Sequence, residues 1–250
     1  MSNPVVAMAA LVALVGAAPS ARSDALADGA EALRSNAADY DQRYGLNDLN
    51  RSAVDDHGKG SPELPGLRNF RKVLPGIVYR AGGNNAYRKP PLPNQGPLPP
   101  EALRHLCEQG FSQAVYLYRG GFTPQTVSCH DRGQPNEMSY SQIPITSGAK
   151  VGESRLLGLI HAQITSKDPR PILVHCYNGY HESGYASANA LRQFCGFSSD
   201  HAYRYWVGNA APGVSFSAMQ SRIARFTPHA DMAISPRQRE ALCPAPSADK

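Results

Sequence analysis

The stretch Pro171-Ile172-Leu173-Val174-His175-Cys176-Tyr177-Asn178-Gly179-Tyr180-His181-Glu182-Ser183-Gly184 constrains this chain more than any other. Ile172 to Val174 is a short apolar run of the kind found in buried strands, and the pattern after Gly184 turns helical. A tight loop must therefore join a central strand to a helix N-terminus within a few residues. Cys176 stands at the strand's end and faces that N-terminus, where backbone N–H groups and the helix dipole favour a thiolate. The same N–H groups can cradle an oxyanion. Gly179 lets the loop curl with positive φ, and Ser183 is placed to hydrogen-bond the sulfur. His175 is expected to orient the loop from the sheet side. Tyr177 and Tyr180 suit either a pocket wall for an aromatic or sugar group, or packing against neighbouring loops.

With Asn178 and the spacing His175-Cys176-x-x-Gly179-x-x-x-Ser183-Gly184, the loop resembles the phosphate-binding signature of the cysteine-dependent phosphatases, the protein tyrosine and dual-specificity superfamily. The resemblance implies a Cys176 nucleophile and a small-molecule or protein-borne phosphate-like substrate. It implies substrate contacts from Tyr177, Asn178, Gly179, Tyr180 and Gly184, and no cofactor. Where that family carries an arginine, this chain carries Glu182. A carboxylate there removes a bidentate, charge-assisted grip on the phosphoryl oxygens and repels a dianion. Such a donor is worth about 3–4 kcal/mol at the transition state. His181, one residue earlier, is a candidate replacement cation if protonated.

The family also uses an acid on a neighbouring loop. Here the segment after Ile143-Pro144-Ile145 has no carboxylate until Glu153, and Glu153 and Asp131 both read as solvated surface groups. Two functions therefore stand side by side. One is an altered hydrolase whose catalytic set is Cys176, His175, Ser183, His181 and Glu182. The other is a pseudophosphatase, the fold kept as a binding module. A third reading makes His175, Cys176, His181 and Glu182 metal ligands. A tight loop rarely turns four neighbours toward one point, so no metal is expected.

The 250 residues suffice for one domain with a substantial core, and 42% hydrophobic with 18% charged residues is ordinary for a soluble protein. The net charge of +5 is spread without a Lys/Arg cluster, which argues against nucleic-acid binding. Val5 to Ala18 is an apolar, alanine-rich run of signal-peptide length, with small residues at Gly16, Ala18 and Ser20. Residues 1–21 are thus expected to be a signal peptide, giving a periplasmic or secreted product with no membrane span after cleavage. Residues 22–66 read as a polar N-terminal extension, and 67–243 as the phosphatase-like domain.

Within that domain, Asn69 to Gly83 reads as strand, turn, strand. It resembles the opening segment of bacterial dual-specificity-like phosphatases, which implies that Arg80 lies near the active-site rim; read by itself, Arg80 is a surface arginine at a strand end. Pro100 opens a helix with Leu103, Leu106 and Cys107 on its apolar stripe, closed by Gly110. A strand at 114–118, a Gly- and Thr-rich loop leading to Cys129, a strand at 139–145 and a helix at 154–165 lead to the cysteine loop. Helices follow from Tyr185, after Ser198, across Phe216 to Phe226, and from Pro236. This order predicts an α/β sandwich with a mostly parallel central sheet flanked by helices and a helical C-terminal third. Five cysteines in an exported chain imply two disulfides and one odd thiol. With Cys176 as that thiol, Cys107–Cys129 and Cys195–Cys243 are favoured among three possible connectivities, since each links neighbouring elements.

Overall fold

The computed structural model describes residues 21–46, 48–49, 64, 67–83, 96–145, 150–210 and 217–244. Its strands are β1 (Arg68–Leu74), β2 (Val78–Gly82), β3 (Gln113–Tyr116), β4 (Gln125–Asp131), β5 (Gln134–Gln142) and β6 (Ile172–Cys176). Its helices are α1 (Ala21–Tyr44), α2 (Pro100–Glu108), α3 (Lys150–Ile164), α4 (Glu182–Cys195), α5 (Ser199–Gly208), α6 (Ser217–Arg225) and α7 (Pro236–Leu242). The strands form one sheet in the order β1-β2-β6-β3-β5-β4. The four inner strands run parallel, and β1 and β4 close the edges antiparallel. This is the expected α/β sandwich with a mostly parallel sheet.

Every residue of β2 and β6 is buried, as strands covered on both faces require. Alternate residues of β6 serve different layers. Ile172 and Val174 join a core with Leu156 and Ile160 of α3, Leu191 and Phe194 of α4, Trp206 of α5 and Ile223 of α6. Leu173 joins Tyr79, Phe111, Leu103 and Leu106 on the opposite face. Because β2, β6, β3 and β5 are parallel, their carboxyl ends meet along one rim, the place where open α/β sheets bind ligands. Cys176 is the last residue of β6 and stands on that rim.

Two segments differ from the sequence reading. The polar stretch expected to be an N-terminal extension contains α1, which packs into the body: Leu33 is buried in the first core, and Tyr40 and Tyr44 in the second. Tyr44 meets Phe70 edge-on at 5.0 Å, and Lys72 Nζ lies 2.6 Å from Asp41. The few apolar side chains of α1 are scattered among Ala, Asp and Arg, so no stripe announces it. The loop read as leading to Cys129 gives way at Gln125 to the β4–β5 hairpin, which turns on Arg132 and Gly133 with φ of 49° and 79° and whose second strand starts five residues before the expected Ser139. Both positive angles fit the two-residue turn whose twist matches paired strands. In β4 only Val127 and Cys129 are apolar and both are partly buried, so that strand shows little apolar alternation, whereas Met138 and Tyr140 of β5 are buried between exposed neighbours. The expected signal peptide, residues 1–20 of it, and Phe216 lie outside the described residues.

Both disulfides form in the favoured pairing, Cys107–Cys129 and Cys195–Cys243, and Cys176 is the free cysteine. The first pins the polar hairpin to α2; the second ties the end of α4 to the segment after α7. Among the described residues no helix is long and apolar enough to cross a membrane. Reduction is expected to add four hydrogens to the intact mass, two per bridge, and to destabilise the fold by about 2–4 kcal/mol per bridge. Mass spectrometry with and without reductant, followed by urea unfolding of each form, checks both. An unchanged mass would remove the bridges.

Candidate active site

The loop after β6 is held by its neighbours as well as by its own side chains. Gly83 N–H donates to the carbonyls of Cys176 at 2.7 Å and Tyr177 at 3.0 Å. Asn69, itself left-handed with φ 53°, donates from Nδ2 to the Asn178 carbonyl at 2.6 Å. Arg68 Nη1 donates to Asn178 Oδ1 at 2.9 Å. The backbones of β2 and the loop approach so closely that a Cβ at Gly82 would lie 2.5 Å from the Asn178 carbonyl carbon. Gly179 has φ 77°, and that curl points its N–H at Cys176 Sγ, 3.2 Å away. Ser183 Oγ lies 3.2 Å from the same sulfur. Cys176 is 2% exposed and faces the first turn of α4, which starts at Glu182, three residues earlier than expected. The sulfur thus meets a backbone donor, a hydroxyl and a helix N-terminus.

Glu182 is not a bare carboxylate in this cradle. Arg222 of α6 forks it: Nη1 and Nη2 each lie 3.2 Å from one of its oxygens. Arg222 Nη2 also donates to the Ile145 carbonyl at 2.7 Å, and its guanidinium lies 4.0 Å over the Tyr185 ring. The side chains are 10% and 15% exposed, so the pair is buried and cancels its own charge. Sequence reasoning missed Arg222. It follows the buried Met219 by three positions on the edge of α6's apolar stripe, and nothing local ties it to a residue forty positions earlier.

His181 does not supply the replacement cation. Its ring lies 6.5 Å from Trp206, and burial lowers its pKa, opposed by Glu182, which keeps it neutral near pH 7. His175 sits at 0% exposure, its Nε2 2.8 Å from Tyr140 Oη and its ring stacked on Tyr116 at 5.1 Å. It supports the strand from the sheet face away from α4. Arg80 is not a surface arginine: it is 0% exposed. Its Nη2 donates to the Asn209 carbonyl at 3.2 Å, and the guanidinium lies 5.4 Å over Tyr205. A Cβ at Gly184 would come within 2.6 Å of Arg80 Nη1, so the glycine admits this positive charge beneath the first turn of α4.

The two carboxylates read as solvated are otherwise placed. Glu153 accepts hydrogen bonds from Tyr185 Oη and from Asn189 Nδ2, the latter at 3.0 Å. Asp131 lies beside the hairpin turn, at the opposite end of the sheet from Cys176, and lines a polar cavity of about 370 Å³. Burial raises its pKa, partly offset by Arg43 and Arg170. The four residues considered as metal ligands face separate partners, and among the described residues no three His, Cys, Asp or Glu side chains gather as a metal site would need.

An aromatic wall borders the loop. Tyr177 stacks on Tyr118 at 4.2 Å with the rings 6° from parallel, and Tyr180 is buried. Burial raises the Tyr118 pKa, and the charges of Cys176 and Glu182 add to it while Arg222 opposes them. That hydroxyl therefore stays protonated at neutral pH.

Comparison with known proteins gives one kind of match. No family model and no curated protein matches the chain. Two structures of the Siw14 catalytic core are similar to it; one is the core catalytic domain of the PP-IP phosphatase from S. cerevisiae in complex with citrate. That one has 16% identity, covers 66% of this chain and 88% of its own, and has a TM-score of 0.45; the other has 15%, 67%, 89% and 0.45. A protein tyrosine phosphatase of Trypanosoma brucei, TbPTP1, has 13% identity, covers 89% of this chain and 91% of its own, and has a TM-score of 0.34. These similar structures are phosphatases.

The buried His175 makes the cysteine loop sensitive to acid. Burial lowers its pKa from 6.5 to about 3. The unfolded chain therefore takes up a proton between those values that the folded chain refuses. Stability is unaffected by this group above pH 6.5 and falls as pH drops from 6.5 toward 3, by up to about 1.4 kcal/mol per pH unit. His181, also lowered, acts in the same direction, and Asp131, raised, acts against it. Urea unfolding at pH 7, 5.5 and 4.5 should show a clearly flatter pH dependence in His175→Asn than in the wild type. Equal slopes would refute the assignment to His175.

Proposed function

We propose that the chain is an exported, phosphatase-like hydrolase that uses Cys176 as nucleophile on a phosphate ester. One observation carries this reading: Cys176 Sγ lies 3.2 Å from both the Gly179 N–H and Ser183 Oγ, at the N-terminus of α4. In the first step a sulfur–phosphorus bond forms as the ester oxygen–phosphorus bond breaks, and the leaving oxygen departs with the bonding pair. The curled backbone and the α4 N-terminus hold the phosphoryl oxygens, and Arg80 adds a positive charge beneath them. In the second step water attacks phosphorus and loses a proton to solvent. The sulfur leaves as a thiolate, stabilised by Ser183. An aryl ester suits this site, because its leaving oxygen needs little help from an acid. Export is supported by the two disulfides and by the apolar run from Val5 to Ala18.

The binding-module reading keeps one observation in its favour: Glu182 stands where the resembling family has its arginine. The hydrolase reading is preferred because Arg222 neutralises that carboxylate within the site. Acid-quenched reaction with an aryl phosphate, followed by peptide mass spectrometry, decides between them. A phosphoryl adduct on Cys176 and an initial burst of phenol are expected. A folded protein that gives neither adduct nor turnover would be the binding module.

A further inference from the structure

Arg222 is held by more than Glu182. The Ile145 carbonyl at 2.7 Å and the Tyr185 ring at 4.0 Å fix its guanidinium independently of the carboxylate. Its two contacts to Glu182, both 3.2 Å, are longer than the 2.7–2.9 Å common for charge-assisted N–H···O bonds. Its buried Nε has no acceptor. The fork is thus preorganised, incompletely satisfied and filled by a side chain of the same protein. Glu182 directly precedes Ser183, which touches the Cys176 sulfur, so an oxyanion seated on the α4 N-terminus over that sulfur lies beside the fork. The Tyr118 ring, stacked on Tyr177 at 4.2 Å, borders the same loop.

We infer that Arg222 is the oxyanion-receiving side chain of this site, and that Glu182 occupies its fork as an internal competitor which the substrate's phosphoryl group displaces. The inference rests on the cysteine-hydrolase reading above. It names the substrate class more narrowly: a terminal phosphoryl group with at least two free oxygens, able to take over both contacts of the fork. A phosphodiester buried in a chain, with its two free oxygens flanked by substituents on both sides, competes poorly with Glu182. Binding is weak while the carboxylate stays ionised and in place, and it strengthens when the carboxylate is neutralised.

The test measures protection of Cys176 from iodoacetamide by inorganic phosphate, in proteins shown to unfold cooperatively. Glu182→Gln is expected to tighten phosphate binding at least about tenfold, the value of one charge-assisted contact. Adding Arg222→Lys, which keeps the charge and loses the fork, is expected to remove that gain. Arg222→Gln in the same background does so too and serves if the lysine variant does not fold. Phosphate binding as tight in Glu182→Gln/Arg222→Lys as in Glu182→Gln would overturn the role of Arg222, leaving Glu182 as simple repulsion. If phosphate protects Cys176 in none of the folded variants, the oxyanion-site reading itself falls.

Discussion

Replacing Cys176 by serine is expected to lower turnover of an aryl phosphate by about four orders of magnitude or more, the scale on which loss of a nucleophile acts. The fold should barely notice. Serine is close in size, the cavity is already lined by Ser183 Oγ and the Gly179 N–H, and both can hydrogen-bond the new hydroxyl. What is lost is the sulfur nucleophile: a serine hydroxyl needs an adjacent base to become nucleophilic. The nearest histidines do not offer one, since His175 points to Tyr140 and His181 lies against Trp206. Phosphate binding should survive, because the cradle is backbone and Arg222. Steady-state assays on both proteins, with phosphate inhibition measured in each, check the pair of outcomes. Residual turnover within tenfold of the wild type would place the nucleophile elsewhere.

The second large effect concerns the buried pair. Glu182→Arg alone sets two guanidiniums against each other at sites only 10% and 15% exposed. Removing one partner of a buried pair costs about 3–5 kcal/mol, and the like charge brings this variant to at least that range. Adding Arg222→Glu restores an ion pair with the partners exchanged and should return most of the loss. The coupling, read from urea unfolding of wild type, both single variants and the double, is expected to exceed about 2 kcal/mol. The exchanged pair also places an arginine on the first turn of α4, beside Ser183, so vanadate should bind the double variant more tightly than the wild type. Additive single effects would mean that the two residues do not act as a unit.

The central part of this site was legible in the sequence because it is local. Strand, cysteine, glycine, serine and helix follow within a dozen residues, and backbone geometry leaves few ways to join them. The positive φ of Gly179 and the Ser183 contact follow directly. The sheet's parallel character was legible from alternating strand and helix patterns, and the disulfide pairing from which cysteines sit on neighbouring elements. What was not legible is long-range and polar. Arg222 meets Glu182 across forty residues, Asn69 and Arg68 meet Asn178 across more than a hundred, and Arg80 is buried by α4 and α5 rather than by its own strand. Charge type suggested solvent for Arg80, Glu153 and Asp131, because burying a charge is costly unless a partner is present. For Glu153 the partners, Tyr185 and Asn189, lie on another helix.

The fork between α6 and α4 also bears on how this chain's relatives can vary. Positions 182 and 222 change favourably only together: arginine at 182 with arginine still at 222 is the unstable combination. A lineage moving between the two arrangements must pass through a weakened protein or through a neutral residue at one position first. Relatives should therefore divide into two groups, one with glutamate at 182 and arginine at 222, the other with arginine at 182 and no arginine at 222. The first turn of α4 and the middle of α6 would then be inherited as a single character.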